Sequence, residues 1–191
     1  MRHLRIKKLV AGLSLVEVLI STTLFVVIIL SMTGIFKMIL DSQRQSIATQ
    51  NVQENVKYFY EVISKEIRMA QRSSGACAEV PGAARFATST NTYGDVLHLK
   101  NYHGECVSYS LDEDNGVVRF KVVRGLGGNQ NGGFLTPAKI NLKELRFFVR
   151  EADNEQAYIT INLIAEAVGR EANYSLMNVQ TTIASRYYRA D

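Results

Sequence analysis

Apolar residues crowd the start of the chain without any period. From Val18 to Phe36 no side chain is charged, and on the other side of Glu17 the uncharged run continues back to Leu9. A membrane-crossing helix takes about 20 mostly apolar residues, so this stretch predicts one. Further on, apolar positions fall into a helical rhythm. Val52, Val56, Phe59, Ile63, Ile67 and Ala70 recur at steps of three and four, among Gln50, Asn51, Glu54, Lys57 and Lys65. That spacing marks one apolar stripe on a helix. No proline interrupts residues 13–72, and Ser73-Ser74-Gly75 supplies a stop. A single helix of about 60 residues would span roughly 90 Å. Its spacing drifts from a strict heptad, which argues against a coiled coil.

After Gly75 the rhythm changes. Residues 77–94 are mostly small and polar and predict a loop. Residues 95–100 then alternate through Val96, Leu97 and Leu99. Segments 106–111 and 117–124 flank Asp112-Glu113-Asp114-Asn115-Gly116, a hairpin with Asn-Gly at its tip. Segments 140–151 and 158–168 flank Ala152-Asp153-Asn154-Glu155-Gln156, a second hairpin, and 177–188 gives a last strand. About six strands after one long helix predict an α+β fold, with an antiparallel sheet folded onto the helix. The expected divisions are 1–12, a leader; 13–36, a membrane or filament-core helix; 37–74, its amphipathic continuation; and 75–191, a β-rich head. A head of roughly 115 residues is large enough for one core.

The formal charge of +4 and the pI of about 9.1 suggest a nucleic-acid partner at first sight. The distribution removes that suggestion. Arg2, Arg5, Lys7 and Lys8 are four of the 22 basic residues, residues 1–12 hold no acid, and the remaining 18 cations match 18 acids. The basic excess belongs to a targeting segment, and no nucleic-acid partner is inferred. A basic flank before the apolar run keeps the N-terminus cytoplasmic and exports the C-terminal part. An ordinary secretory signal fits poorly, because the run exceeds 7–15 residues and Gly34-Ile35-Phe36-Lys37 offers no small-residue cleavage site.

Glu17 is the anomaly in this run. A carboxylate inside a membrane helix costs about 2.5–3.5 kcal/mol on an insertion scale. It follows Gly12 by five residues, and Gly12 follows the basic leader. This arrangement resembles the N-terminal signal of type IV pilins and the related pseudopilins. The resemblance covers about thirty residues and implies cleavage after Gly12 by a prepilin peptidase. Leu13 is then the new, N-methylated terminus and Glu17 the assembly carboxylate. The family's first mature residue is usually phenylalanine, and here it is Leu13. Glu17 pairs with the ammonium of the same chain, one helical turn away, or with that of a neighbouring subunit, or else stays protonated near the interface; the resemblance implies the neighbour. The helix-then-hairpins order is similar to the heads of minor pilins and minor pseudopilins. Residues 179–189 resemble the terminal strand of the PilW-like or J-type pseudopilin group. Partners implied are other pilins or pseudopilins, the peptidase, an inner-membrane assembly platform, and lipid before assembly. The implied location is the inner membrane as a single-pass protein, then a periplasmic or surface filament.

Candidate chemistry is sparse. Cys77 and Cys106 both fall in the exported part, where a disulfide is favoured over two separate thiols. Asp112, Glu113, Asp114 and Asn115 are weighed as calcium ligands, and His98, His103 and Cys106 as zinc ligands. A solvated turn and ordinary strand and loop residues fit better, since neither group has a closed ligand spacing. Residues 125–133 are glycine-rich but match neither G-x-G-x-x-G nor a P-loop, so they predict a mobile surface loop. No nucleophilic triad stands out. Gly34 either lets the helix bend or makes room for close packing, at about 1 kcal/mol relative to alanine. The expectation is a non-enzyme with no cofactor and no metal.

Overall fold

The computed structural model describes residues 12, 14–126, 129–152, 156–168 and 175–186. The leader up to residue 11, Leu13, the tip Asp153-Asn154-Glu155, Gly127-Gly128 and the end of the last expected strand lie outside the described residues. The chain divides into two compact units, residues 1–43 and 44–191, and helix α1, Leu15–Arg68, contributes to both. In the second unit α1 packs against antiparallel sheets, giving an α+β architecture.

Eight strands follow among the described residues: β1 (Phe86–Asn91), β2 (Gly94–Lys100), β3 (Cys106–Asp114), β4 (Val117–Leu126), β5 (Asn129–Phe134), β6 (Ile140–Arg150), β7 (Tyr158–Ala167) and β8 (Leu176–Ala184). They form two sheets, β1-β2-β3-β4-β5 and β6-β7-β8. The expected first hairpin is β3–β4, with Asp114 opposite Val117. Asn115 and Gly116 have φ of 53° and 79°. Two positive φ values in a two-residue loop are what a type I′ turn needs, which explains Asn-Gly there. The second expected hairpin is β6–β7, with a bulge between Leu142 and Glu144.

Three expectations are corrected. Among the described residues the sheet is double and has eight strands instead of about six. Strand β1 lies inside the segment read as loop, and β5 takes up residues 129–133 of the glycine-rich stretch read as mobile, with Gly133 opposite Val122 and Gly132 opposite Val123. The helix ends at Arg68, ahead of Ser73-Ser74-Gly75. Its exit is captured by the first sheet and by the connection leading into it: the Gln71 amide donates to Lys100 of β2 at 2.9 Å, and the Ser73 amide donates to Ala84, just before β1, at 2.8 Å. Those bonds replace further helical turns and satisfy the same backbone groups.

The stripe that begins on α1 and ends just beyond it at Ala70 is buried as its spacing implies. Val52, Val56, Phe59, Ile63, Ile67 and Ala70 enter one cluster with Leu97, Leu99, Tyr109 and Phe120 of the first sheet and Ile159, Ile161 and Leu163 of the second. The Phe59 ring meets Phe120 edge-on at 4.1 Å between centroids. The sheets are joined through polar contacts to β6: the Phe147 amide donates to Asp95 at 2.9 Å, and the Val118 amide donates to Asn141 at 2.9 Å. Gly94, with φ of 144°, comes so close to β6 that a Cβ there would lie 2.8 Å from the Leu145 carbonyl oxygen. Only glycine fits that crossing without backbone movement.

Candidate functional site

In the first unit the apolar side chains of α1 from Leu15 to Leu40 are exposed. The helix is long and apolar enough to cross a membrane, by length and composition. Ser21, Thr22, Thr23, Ser31 and Thr33 are the polar side chains between Val18 and Phe36, and each donates its hydroxyl to a carbonyl three or four residues back, at 2.7–3.0 Å. A hydroxyl bonded within its own helix adds little cost in hydrocarbon. Sequence reasoning passed over these five, although their positions on an apolar helix were legible.

Glu17 differs from them. Its carboxylate has no hydrogen-bond or ionic partner among the described residues. Helix α1 starts at Leu15 and the Val18 amide donates to the Ser14 carbonyl at 3.2 Å, so Ser14 sits at the cap and Glu17 in the first turn. Ser14 and Glu17 have the spacing of a capping box, a feature the sequence reading missed. The positive end of the helix dipole favours an acid there. Gly12 is exposed and lies ahead of the helix. Because Leu13 lies outside the described residues, so does its pairing with Glu17. Gly34 is helical, with nothing within 4 Å of where a Cβ would stand.

In the second unit Cys77 and Cys106 form a disulfide, with Cα atoms 5.6 Å apart and a sequence separation of 29. It ties the segment after α1 to the start of β3. Closing a loop of this size contributes about 3–4 kcal/mol in the chain-entropy account. The disulfide takes Cys106 out of the zinc grouping. His98 lies between two hydroxyls: Nε2 is 2.8 Å from Ser89 Oγ and Nδ1 is 2.8 Å from Ser108 Oγ. Burial holds its imidazole below the ordinary range, opposed in part by the Glu79 carboxylate. His103 stands in the β2–β3 connection, its amide donating to Asn101 Oδ1 at 3.0 Å.

The acidic hairpin tip is turned to neighbouring groups. Asp112 accepts from Lys121 at 2.6 Å, Asp114 accepts from Arg119, and Glu113 accepts from the Tyr93 hydroxyl at 2.7 Å. The Lys121 ammonium holds the Asp112 carboxyl below its usual range. Each carboxylate thus serves a cross-strand contact instead of converging on a common point. No group of three or more His, Cys, Asp or Glu among the described residues could hold a metal. Another pair went unforeseen: Arg124 of β4 donates to the buried Glu66 of α1 at 2.6 Å. Helical spacing alone could have flagged Glu66, since it adjoins the apolar stripe. Compared with known proteins, the chain matches no family model, no curated protein and no solved structure.

Proposed function

We propose that this protein is a minor pilin or pseudopilin, cleaved after Gly12 and assembled through its N-terminal helix into a type IV pilus or a type II secretion pseudopilus. The observation that carries the reading is the isolation of Glu17. Every hydroxyl in the apolar run that follows it is satisfied within the helix, while the Glu17 carboxylate has no partner among the described residues. A charge in a membrane needs pairing or neutralisation. A free ammonium at Leu13 of a neighbouring subunit supplies it and fixes the axial register between helices. In this reading the leader stays cytoplasmic, residues 13–36 cross the inner membrane, and the head is exported. An oxidising compartment then keeps Cys77 bonded to Cys106. The role is structural, the chain is not an enzyme, and the PilW-like or J-type group is its nearest setting.

The rival reading is a membrane-anchored exported binding domain with no filament role. The place of Glu17 in the first turn of α1 favours it, because an acid there suits the helix dipole without any neighbour. The Glu17→Ala variant separates the two. The assembly reading predicts normal cleavage and a loss of incorporation on the order of tenfold or more in filament pull-downs, the size of one ionic pairing. Undiminished recovery of the variant with filaments supports the anchored domain instead.

A further inference from the structure

We propose that the groove between the exposed face of α1 and the segment after β8 is a docking site for an acidic segment of a partner protein carrying an aromatic or aliphatic side chain. The groove has a volume of about 520 Å³ and lies within the second unit. Tyr60 and Met69 form its apolar floor. The Tyr60 hydroxyl donates to the Val179 carbonyl at 3.3 Å, which fixes the ring. Burial pushes the Tyr60 phenol up to about 12, so the floor is uncharged at physiological pH.

The rim is cationic. Lys57, Lys65 and Arg68 come from α1 and Arg186 from the segment after β8. Arg186 is held there because its amide donates to the Arg68 carbonyl at 3.0 Å, which also satisfies one of the open carbonyls at the helix end. Against these four cations stands one acid, Glu61, with Lys57 Nζ 3.9 Å away. Among the described residues Lys65, Arg68 and Arg186 have no carboxylate partner. The helix dipole accounts for cations in the last turn of α1. It does not account for a fourth cation brought from another element across an apolar floor.

Charge complementarity selects the occupant. Carboxylates meet the rim while one apolar side chain covers Tyr60 and Met69, the arrangement of a polar rim around an apolar centre. A second copy of this chain is the less favoured occupant, because several of its acids are already engaged: Asp112 by Lys121, Asp114 by Arg119, Glu151 by Arg85 and Glu166 by Lys143. A nucleic acid fits poorly too, since it needs a basic stripe along its backbone, and outside residues 1–12 the chain has as many acids as cations.

The test uses the full-length protein in detergent micelles and a labelled synthetic peptide of aspartate and glutamate with one phenylalanine. Binding is expected to weaken with added salt. The doubly reversed variant, Lys65→Glu with Arg68→Glu, is expected to lose affinity on the order of tenfold or more. Arg186→Ala is expected to lose less. Both sites of the double variant are exposed, and an unchanged unfolding midpoint certifies its fold. Equal affinity of the peptide for wild type and the double variant overturns the proposal, as does tighter binding of a short DNA duplex. Neither outcome depends on filament assembly, so the groove and the assembly reading stand or fall separately.

Discussion

Val27 and Ile63 are both β-branched residues on α1, yet Val27 is 60% exposed and Ile63 is fully buried. The contrast extends along each unit. In the first, apolar residues occupy every side of the helix and are exposed. In the second, apolar residues occupy one stripe, and that stripe is buried to the last position from Val52 to Ala70. A helix apolar all round calls for an apolar surrounding, whereas a one-sided stripe calls for a protein core. Residue type alone does not distinguish the two situations; the period of the pattern does.

The comparison breaks most sharply under truncation. Phe59→Ala is expected to destabilise the head by about 3–5 kcal/mol, because it empties a fully enclosed position against Phe120. Ile28→Ala in the first unit should leave head unfolding unchanged. Urea unfolding in detergent, followed by near-ultraviolet dichroism, reads both; an equal cost for the two variants would contradict the division. Next in size is the disulfide. Its reduction is expected to cost about 3–4 kcal/mol and to leave helix insertion unaffected, which a urea midpoint with and without reductant checks together with membrane fractionation.

The smallest expected effect is acid sensitivity confined to the head. The folded-state pKa of His98 is lowered by burial, so as pH falls the unfolded chain takes up the proton first. Stability is therefore full at about pH 7 and falls as pH drops through about 6.5. His98→Gln is expected to flatten that slope. An unchanged slope between wild type and variant would assign the acid sensitivity to another group.

Much of this architecture was legible, and the missed parts share a cause. The stripe from Val52 to Ala70 and the hairpins around Asn115-Gly116 and residue 154 show the periods that burial demands. Strands β1 and β5 show no such period. In Phe86-Ala87-Thr88-Ser89-Thr90-Asn91 only Phe86 is buried. In Asn129-Gln130-Asn131-Gly132-Gly133-Phe134 no alternation of apolar and polar residues exists at all. Both lie at the edges of the first sheet, where one neighbouring strand's backbone suffices to hold a strand and its side chains carry little of the information. Thr88 and Thr90, β-branched and two apart, were the one local hint for β1. The helix end was misplaced for a similar reason, since bonds from Gln71 and Ser73 to remote backbone groups decide it, and the local stop residues do not.

At the candidate site the sequence carried the spacing of Gly12, Leu13 and Glu17 but not the state of the carboxylate. The structure adds that the hydroxyls of the apolar run after Glu17 are satisfied within the helix and that its carboxylate has no partner among the described residues. It also adds the disulfide between Cys77 and Cys106, which spacing left open against two free thiols.

The most direct test of the account is mass spectrometry of the protein's N-terminus, taken from native membranes with and without a prepilin peptidase. The account predicts a chain beginning at Leu13, present only when the peptidase is active. A chain that retains residues 1–12 under both conditions, or one cut near Lys37, would contradict it.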